Sequence, residues 1–355
     1  MKELSFAIFG TGFWSQFQLA AWRELQGARC VALYNRTRAK AEALAQRFGV
    51  PAVYHDPEAL LDKEQLDFVD IVTDVGTHAQ FVELAAARKL AAICQKPMAP
   101  SLEIAQEMVE TCRRENVFYA VHENWRWQTP LRELKRVLDA GDIGHPFRAR
   151  VDFITVFPVF NNQPFLRTLE KFVLTDIGSH ILDTARFLFG EARTLYCCTR
   201  RVHRDIQGED VATVLMEMGP TSVAARSGET SVVCQMAYAE NYLEHDRFPE
   251  TYVMIEGERG SVELGPDYWL RLTTKRGTLA RRCPPPRYAW ADPAYDLVQA
   301  SIVPCHANLL AALQGQGSAE TSGEDNLKTV KLVFAAYESA RTGRAIHFDK
   351  DGEHA

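Results

Sequence analysis

The sequence predicts an α/β domain followed by an α+β domain. Three observations lead to this prediction. A glycine pair directly follows a short apolar strand, strand-like and helix-like segments alternate over the first third of the chain, and a later series of strand-like segments is joined by short turns. The chain has 355 residues, more than one compact core usually holds, and we place the two domains at 1–122 and 123–355.

The first domain is predicted to be a parallel sheet covered by helices. Its first strand is LSFAIF at 4–9, and the stretch QFQLAAWREL after the glycine pair has helical periodicity. Further strands at 30–34, 67–73, 91–95 and 117–121 alternate with helices at 38–48, 78–90 and 101–116. Strands that alternate with helices of this length indicate βαβ units and an open parallel sheet.

The second domain is predicted to be an open, mainly antiparallel sheet with flanking helices. Helices are expected at about 129–140 and 176–189, and strand-like segments lie at 146–157, 193–202, 210–218, 229–240, 251–257, 260–264 and 268–274. Successive strands with tight turns pair antiparallel. We expect residues 279–296, which contain PPP, to form an irregular loop, and helices at about 302–314 and 324–342 to lead to a last short strand.

The composition excludes several classes of function. The net charge of -6 does not favour binding to a phosphate backbone, and 46% hydrophobic with 24% charged residues is typical of a globular protein. No apolar run approaches the ~20 residues of a membrane span, and the start MKELSFAIFG does not resemble a signal peptide. We therefore expect a cytoplasmic protein that binds neither nucleic acid nor membrane.

The glycine pair predicts a dinucleotide site. Gly10 permits a sharp turn, Gly12 lets the backbone approach a pyrophosphate, and the following helix offers unpaired N–H groups. Ser15 stands where a third glycine is usual, and its small side chain suits close helix–strand packing. Glycine pairs also mark ordinary turns, so the surrounding βαβ pattern is what favours a Rossmann domain that binds NAD or NADP. The residues expected to contact the cofactor at this turn are Gly10, Thr11, Gly12, Phe13 and Trp14.

The end of the second strand bears on the choice between NAD and NADP. Asn35 occupies the position where an acidic residue would hold the ribose 2′-hydroxyl of NAD. Asn35, Arg36, Thr37 and Arg38 offer neutral and cationic donors, and an arginine can bind a 2′-phosphate with two N–H groups. The sequence therefore modestly favours NADP without excluding NAD. The alternative is a solvated helix start capped by Thr37.

Lys96 is predicted to act in catalysis. Proline at position 97 favours extended backbone at Lys96, which therefore lies at the carboxyl end of a strand, where open α/β sheets bind their ligands. A lysine there can stabilise the alkoxide that develops as a hydride leaves an alcohol, and can contact the nicotinamide ribose. The alternative is an ordinary surface lysine. Further cofactor contacts are expected from Thr73, Asp74, His78, Gln95, Lys96 and Pro97.

A second polar group lies on a predicted helix. The stretch TDIGSHILD places Asp176, His180 and Asp183 at i, i+4 and i+7, which share one helical face. A histidine beside a carboxylate suits a general base near neutral pH, so we predict Asp176 and His180 as catalytic residues. A metal site is one competing use of these residue types, but no signature with more ligands accompanies them and we expect none. The other alternative is that His180 is a structural residue of the helix.

A polar and aromatic stretch is expected to bind the substrate. In VHENWRWQTP, aromatic faces could stack on a sugar while amide and guanidinium groups bond its hydroxyls. The competing interpretation is that the tryptophans pack in the core between domains. The polar loop around NNQPFLR offers further contacts. The predicted substrate contacts are Lys96, Asn124, Trp125, Arg126, Trp127, Phe165, Arg167, Asp176 and His180.

Taken together, GTGFWS, CQKP, DIGSHILD and SGEDNLKTVKLVFAAYESARTGRAI resemble the Gfo/Idh/MocA family of NAD(P)-dependent sugar and cyclitol oxidoreductases over essentially the whole chain. The resemblance implies that Lys96, Asp176 and His180 form the catalytic set, and that the C-terminal sheet forms a homodimer or homotetramer interface. Gln95 departs from the usual glutamate, and Asn35 from the acidic residue frequent in NAD-using members.

Within this family, CQKPMAPS, HENWRWQ and NQPFLR are most similar to the branch that includes D-apiose dehydrogenases. That similarity implies oxidation of a furanose at its anomeric carbon to a lactone. Two other interpretations stay open. The chain could be a glycoside hydrolase that oxidises and re-reduces its sugar on a tightly held NAD, or a sensor that binds the dinucleotide without turnover.

Overall fold

The computed structural model describes residues 3–219, 229–239 and 252–348. Its contacts divide the chain into two compact units. The first comprises Met1–Asn124 with Arg287–Val330, and the second comprises Trp125–Pro286 with Lys331–Ala355. The unit changes two residues after the predicted boundary at 122, and a later segment returns to pack with the first unit.

The first unit contains a six-stranded parallel sheet in the order β3-β2-β1-β4-β5-β6. Its strands are β1 (Leu4–Phe9), β2 (Ala28–Tyr34), β3 (Ala52–Tyr54), β4 (Phe68–Ile71), β5 (Ala91–Gln95) and β6 (Tyr119–His122). The helices that connect them are α1 (Ser15–Trp22), α2 (Arg38–Phe48), α3 (Pro57–Lys63), α4 (His78–Ala87) and α5 (Leu102–Glu115). The strand order reverses between β1 and β4, and ligands bind at such a point, outside the carboxyl ends of the strands.

β3 and α3 were not predicted. A strand of three residues is too short to show a period, but the helix carried a local signal. Asp56 accepts a hydrogen bond from the N–H of Glu58, and Pro57 occupies the first helical position. Both are standard features of a helix start.

The returning segment of the first unit forms α9 (Asp296–Ala300) and α10 (Ile302–Leu313). The stretch Asp296–Leu313 has a mean hydropathy of 1.2, enough by composition for a membrane span, yet 56% of it is buried within the protein. Its His306 is fully buried and stacks on Trp22 of α1 with ring centroids 3.9 Å apart. These contacts are those of a core helix.

The second unit contains a nine-stranded sheet in the order β14-β13-β12-β11-β7-β10-β9-β8-β15. Its neighbouring strands run antiparallel except for β7 and β10, which are parallel. The strands are β7 (Pro146–Thr155), β8 (Glu191–Arg200), β9 (Val211–Gly219), β10 (Thr230–Tyr238), β11 (Tyr252–Gly257), β12 (Gly260–Gly265), β13 (Trp269–Thr274), β14 (Gly277–Arg282) and β15 (Ile346–His347). Predicted strand ends at 240 and 251 lie outside the described residues.

Three predicted helices are present, α6 (Thr129–Asp139), α8 (Val173–Phe189) and α11 (Gly323–Thr342), the last of which spans the change of unit at Val330. A further short helix, α7 (Val159–Asn162), lies where the sequence predicted a polar loop. The helix α8 packs on β10, β9 and β7, and most of its residues are buried. It begins three residues before the predicted start. The predicted loop at 279–296 was wrong at its beginning, because β14 continues to Arg282 as the partner of β13.

Candidate functional site

The turn between β1 and α1 has the geometry of a dinucleotide cradle. Gly10 has φ +100°, and a Cβ there would lie 2.5 Å from the carbonyl oxygen of Val72. Gly12 is the opposite case, since beyond its two chain neighbours no described heavy atom lies within 4 Å of an added Cβ. The Thr11 hydroxyl is buried without a hydrogen-bond partner among the described residues. Open space beside Gly12 and an orphaned donor next to it fit a bound pyrophosphate.

The side chains that follow this turn have different surroundings. The Ser15 hydroxyl is buried and donates to the carbonyl oxygen of Gly12 at 2.7 Å, which explains why serine serves where glycine was expected. Phe13 is 43% exposed, whereas Trp14 packs with Phe17 against the core around Ile302.

Asn35 is tied to the glycine turn. Its Oδ1 accepts from the N–H of Thr11 at 3.3 Å, and its Nδ2 donates to the carbonyl oxygen of Thr37 at 3.0 Å. Arg38 is engaged with Glu42 one helical turn later at 2.8 Å, and Arg36 is exposed. The end of β2 therefore carries a neutral amide, that of Asn35, bonded to the glycine turn, and next to it the exposed guanidinium of Arg36.

Lys96 follows β5 directly, as predicted. Its backbone N–H donates to the Oε1 of Gln95 at 3.0 Å, and the bond from Lys96 to Pro97 is cis. The Nε2 of Gln95 is buried without a hydrogen-bond partner among the described residues. A glutamine at this position therefore leaves a buried donor beside Lys96, where a glutamate would leave an acceptor.

His78 connects the segments that follow β4 and β5. The ring is buried, with Nε2 lying 3.0 Å from the carbonyl oxygen of Thr73 and Nδ1 lying 3.2 Å from those of Pro97 and Met98. Burial lowers the pKa of His78, and the hydrogen bonds to these carbonyl oxygens partly offset that decrease. The sequence predicted His78 as a cofactor contact, and the structure shows it bound to the backbone next to Lys96.

Asp176 and His180 lie on the same face of α8, as the spacing predicted. The hydroxyl of Tyr238, at the end of β10, donates to Asp176 Oδ2 at 2.6 Å. Burial raises the pKa of Tyr238 well above its usual value, and the charge of Asp176 raises it further, so the phenol remains a donor. His180 is 5% exposed, and its ring stacks on that of Trp125 with centroids 4.5 Å apart and planes 8° from parallel.

The start of α8 is held by a residue that sequence reasoning missed. The Glu209 carboxylate accepts from the N–H groups of Phe172 and Leu174 at 3.1–3.3 Å. The backbone carbonyl oxygen of Glu209 accepts from the N–H of Val173. Tyr337 of α11 donates to the same carboxylate at 2.7 Å. A carboxylate at a helix N-terminus satisfies its open N–H groups and its partial positive charge.

The predicted substrate contacts differ in exposure. Asn124 is buried, and its Nδ2 donates to Ser301 Oγ at 2.7 Å and to the carbonyl oxygen of Val298 at 3.0 Å. Arg126 is buried in an ion pair with Asp183. Trp127 is half-buried with the guanidinium of Arg132 3.4 Å from its ring centroid.

The loop ahead of α8 carries the remaining predicted contacts. Phe165 is 53% exposed. The guanidinium of Arg167 lies over the ring of Phe160 at 4.6 Å and pairs with Asp205. Substrate binding by these side chains stays a prediction.

Lys96 belongs to the first compact unit, and Asp176 and His180 belong to the second. The joint role of these three residues in catalysis stays a prediction. Among residues 3–219, 229–239 and 252–348, no group of three or more histidine, cysteine, aspartate or glutamate side chains is arranged to hold a metal ion.

A Rossmann unit with a glycine cradle, followed by a mainly antiparallel sheet unit, defines an NAD-binding oxidoreductase. Residues 4–123 match the model of the Gfo/Idh/MocA oxidoreductase family with an NAD-binding Rossmann fold, and residues 131–263 match its C-terminal domain. The chain therefore belongs to the Gfo/Idh/MocA family, which confirms the resemblance and the fold class predicted from the sequence.

Named relatives cover nearly the whole chain. A D-apiose dehydrogenase from Paraburkholderia graminis is 44% identical over 98% of this chain and 90% of its own length. Another from Rhizobium rhizogenes is 41% identical over 98% of both. A crystal structure of an oxidoreductase from Agrobacterium radiobacter, in complex with NAD+, L-tartaric acid and magnesium, is 40% identical with a TM-score of 0.92 over 98% of both chains.

Proposed function

We propose that this protein is an NAD(P)-dependent dehydrogenase that oxidises the anomeric hydroxyl of D-apiose, in its furanose form, to the lactone. The observation on which the proposal rests is that two D-apiose dehydrogenases match this chain at 44% and 41% identity over 98% of its length. The chain also has the groups that such an oxidation needs, namely an ammonium after β5 and a carboxylate–imidazole pair on α8.

Each group has a defined role in this proposal. Oxidation removes a proton from the hydroxyl oxygen and a hydride from its carbon. His180 takes the proton, and Asp176, one turn earlier on α8, favours the imidazolium that results. Lys96 stabilises the negative charge that develops on the oxygen. A dinucleotide held at Gly10–Gly12 supplies the hydride acceptor, the nicotinamide ring.

The test follows reduced nicotinamide by absorbance with D-apiose, other aldoses and inositols, with NAD and NADP in parallel. We expect D-apiose to be the best substrate and its lactone to accumulate with one reduced cofactor per sugar. Binding of cofactor without turnover of any sugar would indicate a sensor, and glycoside cleavage without net reduced cofactor would indicate a hydrolase.

Variants of two of the three proposed catalytic residues sharpen this test. Lys96→Ala and His180→Gln should each lower kcat/KM at least about 100-fold, the usual effect of removing a proton-transfer group or a charge stabiliser, while cofactor binding survives. Lys63→Ala and His55→Gln change the same residue types at exposed positions and should act like wild type. Wild-type rates in Lys96→Ala or His180→Gln would remove that residue from the mechanism.

We propose further that the chain accepts NADP, with a modest preference over NAD. No acidic side chain ends β2, and Arg36 is exposed there while Arg38 is engaged with Glu42. Arg36→Ala should therefore weaken NADP binding about 10-fold and leave NAD binding nearly unchanged, with Arg38→Ala as the matched comparison. Equal losses for both cofactors, measured by calorimetry, would contradict a role for Arg36 in selecting the 2′-phosphate.

The C-terminal sheet is our proposed interface for a homodimer or homotetramer. Tyr196 on β8 and Leu215 on β9 lie opposite each other on neighbouring strands and are 39% and 45% exposed. The adjacent pair, Leu195 and Met216, is buried on the other face of the sheet. Leu215→Lys should therefore lower the mass measured by light scattering, while an unchanged mass would contradict this interface.

We also propose that the protein is located in the cytoplasm. Its eight cysteines are free in this structure, and they would stay reduced in that compartment.

A further inference from the structure

The imidazole of His180 stacks on an aromatic neighbour, Trp125, which in turn contacts a second aromatic ring. The Trp125 indole lies flat against it, with centroids 4.5 Å apart and an interplanar angle of 8°. The ring of Phe153, on β7, meets the same indole edge-on at 4.7 Å and 74°. Trp125 is 2% exposed, so the stack is part of the core of the second unit.

A buried ion pair fastens the indole to the same helix. Arg126 follows Trp125 in the chain, and its guanidinium makes two hydrogen bonds to Asp183, Nε to Oδ2 at 2.7 Å and Nη2 to Oδ1 at 2.5 Å. Asp183 lies three residues after His180 on α8 and is fully buried. Trp125 therefore contacts His180 while the adjacent Arg126 contacts Asp183, about one helical turn further along α8. These two contacts fix the segment that carries Trp125 and Arg126 against the helix.

We propose that Trp125 is a positioning residue that sets both the orientation and the proton affinity of His180, and that the Arg126–Asp183 pair holds the indole in place. An indole face attracts a cation stacked on it, so this arrangement favours the imidazolium over the neutral ring. The proposal rests on the function proposed above, because it takes His180 as the general base.

Other titratable and charged groups around α8 also affect the equilibrium between neutral and protonated His180. On the helix itself these are Asp176, Asp183 and Arg186, and Arg186 makes two hydrogen bonds to Glu191 at 2.8 and 2.9 Å. From other elements they are Arg126, Tyr238 on β10, Glu209 at the helix start, and Arg132 and Lys135 of α6, whose charges lie over the ring of Phe187. Replacing Trp125 leaves all of these groups in the chain, so a change in titration would report the loss of the stack.

This role differs from the substrate contact predicted for Trp125 from the sequence, and kinetics separate the two. A side chain that stacks on the sugar changes KM at every pH. A side chain that acts through His180 moves the acid limb of the kcat/KM profile and leaves KM on the pH plateau nearly unchanged.

The decisive measurement is an NMR titration of the His180 ring in the full-length protein without substrate, with His180→Gln used to assign the signal. We expect Trp125→Leu to lower the titration midpoint by about one half to one pH unit, the size of a cation–π contact, and Trp125→Phe to lower it less. Arg126→Lys keeps the charge but loses the two-pronged contact, so it should shift the midpoint in the same direction. Trp269→Leu removes a half-exposed tryptophan of β13 and should leave the midpoint unchanged.

Kinetic profiles of the same variants complete the test. A lowered midpoint together with an acid limb moved to lower pH is the expected result. An unchanged midpoint in both Trp125 variants, or a raised KM with an unmoved limb, would overturn the proposal. A lowered midpoint in a protein that oxidises no sugar would instead reject the proposed function and leave the effect of the stack on His180 established.

Discussion

The Tyr238 hydroxyl donates a hydrogen bond of 2.6 Å to the carboxylate of Asp176. The donor belongs to the last residue of β10 and the acceptor to the first turn of α8, so this bond ties the proposed catalytic helix to the sheet beneath it. The ring of Tyr238 is itself stacked on Phe172, with centroids 5.2 Å apart, which leaves the hydroxyl little freedom to turn elsewhere.

Replacing this donor should impair catalysis. A hydrogen bond to a charged group contributes roughly 1.5–3 kcal/mol, so we expect Tyr238→Phe to lower kcat/KM about 10-fold or more with cofactor affinity unchanged. Tyr252→Phe is the matched comparison, because its hydroxyl donates to Glu263 at 3.3 Å on the neighbouring strands β11 and β12. Equal rates for the two variants would show that the orientation of Asp176 does not limit the reaction.

The glycine turn offers a pair of substitutions with opposite expectations. Gly10→Ala meets both a φ of +100° and the Val72 carbonyl oxygen at 2.5 Å, so it should lower the melting temperature of the free protein. Gly12→Ala has open space around its methyl group and should melt like wild type. That methyl group would occupy the space we assign to the pyrophosphate, so NAD should bind at least about 10-fold more weakly. Wild-type affinity in Gly12→Ala, measured by calorimetry, would argue against this cradle.

The contacts of Glu209 predict a stability effect on α8. Glu209→Gln keeps one acceptor oxygen but removes the charge that faces the helix N-terminus, so we expect a loss of about 1–2 kcal/mol in the free energy of unfolding. Glu217→Gln, at an exposed position on β9, should change it by less than about 0.5 kcal/mol. Urea unfolding of both variants measures these changes in the free energy of unfolding. Equal losses in Glu209→Gln and Glu217→Gln would mean that the start of α8 does not need the Glu209 carboxylate.

The sequence predicted the parts of the site whose signals are local. The phosphate turn, the extended Lys96 and the spacing of Asp176 and His180 follow from residues within a few positions of one another. Tyr238 and Glu209 act on α8 from 62 and 37 residues away, respectively, so their roles depend on which strands are neighbours. Single-sequence patterns predicted the strands of the second sheet other than β14, but not their order, and β10 lying parallel to β7 has no local signature.

Asp70 provides the last prediction, on how stability depends on pH. It lies fully buried in β4, where its Oδ2 accepts from Trp22 Nε1 at 2.8 Å and its Oδ1 has no hydrogen-bond partner among the described residues. Burial raises the pKa of Asp70 from 3.8 to about 7, partly opposed by the Trp22 hydrogen bond. The folded protein therefore holds a proton that the unfolded chain has lost. This stabilisation is full below about pH 4 and disappears as pH rises through about 7.

Asp70→Asn keeps an acceptor for Trp22 and cannot ionise, so it should be more stable than wild type at pH 8, by up to roughly 4 kcal/mol from the 3.2-unit difference between 3.8 and 7. At pH 5 the advantage should shrink to a fraction of that value. Burial lowers the pKa of His78 and of His306, which weakens the fold below about pH 6.5. Wild type and Asp70→Asn share that loss, so it cancels in the difference between their free energies of unfolding. Urea unfolding at the two pH values, with the exposed Asp62→Asn as comparison, measures the effect. A difference between Asp70→Asn and wild type that does not grow with pH would show that Asp70 is ionised in the folded protein already at pH 5.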